Sequence, residues 1–154
     1  MTIEVCDLTE EDVIRFLEDH IEDMKSVSPP ESKHALDVDS LKNPSITFWT
    51  IRDGEELVGC GALMELDAGQ GEIKSMRTLP ARRGEGIASR MLRHIISRAR
   101  ERGMEVLRLE TGSMPFFEPA KALYRRFGFG ECPPFADYKP DPNSVFFERF
   151  IDAD

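Results

Sequence analysis

Cysteine is scarce: Cys6, Cys60 and Cys132 are the only three in 154 residues. They are odd in number and widely spread, so neither a disulfide framework nor a zinc site is indicated. No apolar run approaches the ~20 residues of a membrane span, and the N-terminus lacks a basic start followed by an apolar stretch. These absences point to a reducing cytoplasm and to no membrane partner. A surplus of positive charge is missing too. The formal charge of −9 argues against general nucleic-acid binding. Histidines are few and give no metal or nucleophilic site: His20 and His34 stand alone, and His94 sits beside Arg93 as a structural or solvated residue. No repeat, low-complexity tract or linker breaks the chain, and its length suits one domain over residues 1–154 with a core of its own.

What the chain does have is a concentrated stretch around Arg82-Arg83-Gly84-Glu85-Gly86-Ile87-Ala88-Ser89. Upstream, Gly71 to Leu79 reads as a strand that Pro80 stops. Downstream, Ile87, Ala88, Met91, Leu92, Ile95, Ile96 and Ala99 recur at helical spacing, predicting a helix from about Gly84 to Arg102. A glycine turn before a helix leaves several amide N–H groups without helical partners, at the positive end of the helix dipole. Such a site suits a phosphate or pyrophosphate, though the same glycines can serve only as a connection. Between Lys74 and Arg102 lie nine basic residues and two acidic ones, so the basic charge of an acidic chain gathers here. Arg98, Arg100 and Arg102 read as a solvated helix face. The phosphate loop GxxxxGK followed by Ser or Thr is absent. The dinucleotide fingerprint GxGxxG is half matched, with Ser89 at its third glycine and no repeated strand–helix–strand pattern to support it.

The remaining organisation is coarse. Ile3–Val5 reads as a first strand. Thr9 with Glu10, Glu11 and Asp12 opens a helix whose apolar face is Val13, Phe16, Leu17, Ile21 and Met24. Ser26–Pro30 is a loop and Glu31–Leu41 a second helix. Ser45–Arg52, an Asp53-Gly54 turn and Leu57–Leu66 form a hairpin, in which Gly59 and Gly61 suggest a bulge or a close approach by another group. A strand at Glu105–Glu110, a helix at Pro115–Phe127 and C-terminal strands holding Phe129 and Val145–Ile151 complete the reading.

Two segments carry a family resemblance. Arg83-x-x-Gly86-x-Ala88, preceded by Met76-Arg77-Thr78-Leu79-Pro80, resembles the (Gln/Arg)-x-x-Gly-x-(Gly/Ala) signature of the GNAT N-acetyltransferases. Ala120-Lys121-Ala122-Leu123-Tyr124-Arg125-Arg126-Phe127-Gly128-Phe129 resembles their A-x-x-L-Y-x-x-x-G-F segment. Leu109–Ser113 and Cys132–Phe146 look like those of a subgroup of small acetyltransferases. The resemblance implies an α/β (α+β) fold: a mixed, twisted, mostly antiparallel sheet flanked by helices, with acetyl-CoA lying where two central strands splay apart. It implies no metal. By this likeness Arg82, Arg83, Gly84, Glu85, Gly86, Ile87, Ala88 and Ser89 hold the pyrophosphate, largely through backbone amides. Met76 and Thr78 pair with the pantetheine arm, and Phe117 stands where many members carry an asparagine that contacts CoA. Met24–His34 borders the acceptor pocket, and a homodimer is common in the family.

The chemistry so implied is acetyl transfer from a thioester to an amine. Deprotonating a lysine-like amine at pH 7 requires about 4.6 kcal/mol. A carboxylate, directly or through a water, is the natural base. Glu72 and Glu110 are the two candidates, and a water is the third. Tyr124 matches the family's tyrosine near the CoA sulfur and is expected to act as general acid. Asp137 and Tyr138 are polar candidates for the acceptor pocket, and a small-molecule amine is the expected acceptor. A non-catalytic acyl-CoA sensor and a binder of another phosphorylated ligand remain as alternatives.

Overall fold

The computed structural model describes residues 1–27, 38–67 and 69–151. Its strands are β1 (Thr2–Val5), β2 (Ile46–Asp53), β3 (Glu56–Glu65), β4 (Gln70–Thr78), β5 (Val106–Gly112), β6 (Gly130–Glu131) and β7 (Ser144–Phe150). They form one sheet in the order β1-β2-β3-β4-β5-β7-β6, mixed and mostly antiparallel. The helices are α1 (Glu11–Val27), α2 (Ile87–Glu101) and α3 (Glu118–Arg126).

Alternation along β2 and β3 sends side chains to two separate cores. Phe48, Leu57, Cys60 and Ala62 pack with Val13, Phe16 and Leu17 of α1. Trp49, Ile51, Val58 and Leu63 pack with Met91, Leu92, Ile95 and Ile96 of α2 and with Leu123 and Tyr124 of α3. The sheet is thus covered on one face by α1 and on the other by α2 and α3. Gly61 lets α2 lie close, since a Cβ there would stand 2.7 Å from the Met91 side chain. Both readings of this strand hold, because register shifts also fall between Ile51 and Arg52 and between Cys60 and Ala62.

The decisive irregularity is between β4 and β5, the one parallel pair among the described residues. They pair only at Gln70, Gly71 and Glu72 against Val106, Leu107 and Arg108. Beyond that point β4 stays with β3 and β5 stays with β7, so the two strands part and leave a gap in the sheet. This is the splay that the sequence resemblance implied. At the same place β4 bulges: Ser75 has φ 55, and its carbonyl accepts a hydrogen bond from the Cys60 thiol at 3.1 Å.

Several boundaries differ from those expected. The long helix starts at Ile87 rather than Gly84, because Gly84 and Gly86 adopt φ of 85° and 81°, outside helical space. The helix expected from Pro115 begins as a 3-10 turn, Pro115–Phe117, and becomes α-helical only at Glu118. Of the helix expected over Glu31–Leu41, residues 31–37 lie outside the described residues. Val38 and Asp39 form a turn and Ser40–Lys42 a 3-10 turn that buries Leu41. β6 has only two residues, too few for a periodic signal.

Candidate active site

The turn before α2 is built on its neighbours. Arg82 donates to Asp53 at 2.7 Å, to Glu56, and to Glu85 at 2.9 Å. Three carboxylates raise its pKa further and tie the turn to the β2–β3 hairpin. Past Arg82 the chain rises through Gly84 and Gly86 into α2. The first helical hydrogen bond runs from the Arg90 N–H to the Gly86 carbonyl, so the amides of Ile87, Ala88 and Ser89 stand outside the ladder. No side chain caps them.

These amides border a cavity of about 640 Å³ that fills the gap between β4 and β5. Met76, Thr78, Arg83, Gly84, Gly86, Ile87, Ala88, Ser89 and Phe117 all line it, together with Tyr124, Glu110 and Glu72. Of the residues singled out from sequence, Arg82 and Glu85 do not line it. Their side chains are engaged with each other, so Arg82 acts on the turn as a brace. Arg83 faces the cavity, its guanidinium 5.9 Å from the centre of the Phe116 ring.

Tyr124 is buried against Phe129 and Phe147. Burial, and then the nearby charge of Glu110, push its pKa well up, so the hydroxyl keeps its proton throughout the neutral range. Glu110 lies on β5 just beyond the last β4–β5 pair and accepts a hydrogen bond from Ser144 Oγ at 2.8 Å. Glu72 sits at that last pair, 3 % exposed. Its Oε2 accepts from Tyr138 Oη at 2.6 Å and from Lys74 Nζ at 2.9 Å. Burial and the adjoining carboxylate hold Tyr138 protonated as well.

A second cavity, about 1040 Å³, lies beyond this cluster and shares Glu72, Lys74 and Tyr138 with the first. Asp137 lines it, so Asp137 and Tyr138 both border cavity space. The first cavity continues toward α1, where Leu17, His20, Ile21, Asp23 and Met24 form its wall. Met24 thus borders it as expected, whereas residues 28–34 of the expected Met24–His34 border lie outside the described residues.

Sequence reasoning missed three members of this wall. Lys74 and Arg77 are drawn in by the β4 bulge, which no periodicity announces. Arg77 Nη1 donates to Asp23 at 2.8 Å, and the guanidinium lies 5.2 Å from the Phe16 ring centre. His20, which looks isolated in sequence, is pushed down to about 4 by burial and by Arg77, and is neutral at pH 7. His94, expected to be structural or solvated, is half-buried and packs edge-on against Trp49 with ring centres 5.0 Å apart. Cys60 is buried with its thiol pushed up to about 12, which leaves it unreactive.

Comparison with known proteins agrees with this geometry. Residues 13–129 match the model of the acetyltransferase (GNAT) family. The chain is 53% identical over 149 residues to YsnE of Bacillus subtilis (strain 168), an uncharacterised N-acetyltransferase, covering 97% of this chain and 99% of that protein. It is 38% identical over 139 residues to a protein of Azospirillum brasilense named IAA acetyltransferase, covering 89% of each. Among solved structures, a GNAT-family acetyltransferase of Staphylococcus aureus Mu50 superposes with a TM-score of 0.74 at 21% identity, over 97% of this chain and 99% of that one.

Proposed function

The chain belongs to the GNAT family and is an N-acetyltransferase that uses acetyl-CoA as acyl donor, and from there we propose that it acetylates the amine of a small molecule by direct transfer, with Tyr124 as general acid and Glu110 as general base. The residues present suit the donor. Unpaired amides at the start of α2 suit a pyrophosphate, Arg83 adds a cation beside them, and the open edge of β4 at Met76 and Thr78 suits an amide-bearing arm laid as an extra strand. Acetyl-CoA supplies a thioester carbonyl. The acceptor nitrogen forms a bond to that carbon as the carbon–sulfur bond breaks. Tyr124 gives its proton to the departing thiolate, and Glu110 takes the proton lost by the amine.

One observation carries this reading: Tyr124, Glu110 and the amides of the turn border a single cavity. Glu110 is preferred to Glu72 because its charge acts on Tyr124, the assigned acid, whereas that of Glu72 acts on Tyr138. Loss of Tyr124 or of the glycine turn would have favoured a non-catalytic sensor, and both are present. The reading includes a single domain over residues 1–154 and a cytoplasmic location. Among the described residues no helix is long and apolar enough to cross a membrane.

The test is thiol release from acetyl-CoA over a panel of small amines. Tyr124→Phe and Glu110→Gln should each lower kcat by about a hundredfold, with acetyl-CoA affinity unchanged. Glu72→Gln should mainly raise the acceptor KM. Unchanged kcat in Tyr124→Phe and Glu110→Gln would refute the assigned roles.

A further inference from the structure

Across the β3–β4 ladder, Lys74 stands opposite Ala62 and Arg77 opposite Cys60. Ala62 and Cys60 both belong to the core on the α1 side of the sheet, so Lys74 and Arg77 share that side. Residues three apart on a strand ordinarily point to opposite faces. The bulge at Ser75 adds the residue that brings both cations to one wall.

Four buried side-chain nitrogens among the described residues have no hydrogen-bond partner: Arg77 Nε, His94 Nε2, Arg98 Nε and Arg100 Nε. Of these residues, only Arg77 lines the cavity between β4 and β5. Its side chain is 8 % exposed, and its Nη1 is fixed by Asp23. A buried, oriented guanidinium edge without an acceptor costs free energy until an oxygen meets it. The same wall also bears the carboxylates of Glu72, Glu110 and Asp23, which favour a cationic amine. Cation and anion sites side by side match a zwitterion.

Resting on the acetyl-transfer reading above, we propose that the acceptor carries a carboxylate as well as its amine, and that the Arg77 guanidinium on the cavity wall holds this carboxylate. A dianionic phosphate fits less well, since three carboxylates stand in the same wall. Arg77 is then a specificity residue and takes no part in the proton transfers.

The experiment measures thiol release over paired acceptors: α-, β- and γ-amino acids, each beside the carboxamide of the same amine. The carboxylate member should be favoured by about tenfold or more in kcat/KM, the scale of one charge-assisted hydrogen bond. Arg77→Gln should bring the two members together by raising KM for the carboxylate member. Asp23→Asn, a change at a half-exposed side chain, frees Nη1 and should widen the preference for the carboxylate member over its carboxamide, since any loss of attraction for the amine falls on both alike; this tests the idea even where the buried substitution unfolds the protein. Equal use of both members overturns the inference, as does a preference that survives Arg77→Gln in a folded variant. So does failure to acetylate either series by protein that binds acetyl-CoA in calorimetry. Protein that does not bind acetyl-CoA brings down the underlying reading instead.

Discussion

His20 shows how burial changes what a single side chain can do. An exposed imidazole titrates near 6.5, but this one is pushed down to about 4, so the folded protein resists its protonation and the unfolded chain accepts it. Between these values the unfolded state binds the extra proton, so stability must fall as pH drops from about 6.5 toward 4, by up to ~3 kcal/mol. Melting temperatures from pH 7 to pH 4.5 should decline in the wild type and decline less in His20→Gln. Equal slopes would show that the imidazole is not held neutral. The aspartates with lowered pKa values, Asp7, Asp12 and Asp53, start below this window and lose their contribution at still lower pH. Tyr124, Gly84 and Gly86 were legible in sequence because each sits in a fixed spacing. His20, Lys74 and Arg77 were not, because only the β4 bulge and the approach of α1 make them neighbours of the site.

At the scale of elements, the brace on the turn and the fit of the 3-10 turn before α3 against β5 matter most. Arg82 reaches three carboxylates on β2, β3 and the turn itself, and none of its donors faces the cavity. Arg82→Ala should therefore weaken acetyl-CoA binding a few-fold by loosening the turn, while kcat at saturating acetyl-CoA stays near that of the wild type. A direct phosphate contact would instead be lost with a steeper change in the salt dependence of binding. Gly112 ends β5 under Phe117, and a Cβ there would lie 2.2 Å from the Phe117 ring. Gly112→Ala should cost about 1–3 kcal/mol in denaturant unfolding, the usual range for an overpacked contact. A neutral result would mean that the 3-10 turn shifts freely. This contact also accounts for Phe117 at a position where the family often has asparagine: the ring closes the core at the mouth of the gap. The helical faces of α1 and α2 were readable from periodicity alone. The bulge and the 3-10 start before α3 were not, since both depend on what the neighbouring strand or ring demands.

For the whole molecule, charge and topology converge on one place. An acidic chain of net charge −9 carries eight arginines between Lys74 and Arg102, and the turn before α2 follows the end of β4 that has parted from β5. Parallel neighbours that pair at three positions and then part must leave backbone edges facing a gap, and that gap is the cavity. The fold class and the splay could be expected from two sequence motifs, whereas the acceptor side depends on residues far apart in the chain. The central claim is that acetyl-CoA occupies this gap with its pyrophosphate at the turn. Calorimetric titration with acetyl-CoA of the intact protein and of Gly86→Trp, with folding checked by circular dichroism, tests it most directly. The account predicts saturable one-to-one binding to the intact protein and its loss in the variant, where an indole enters the cavity wall. Equal binding by both proteins would contradict it.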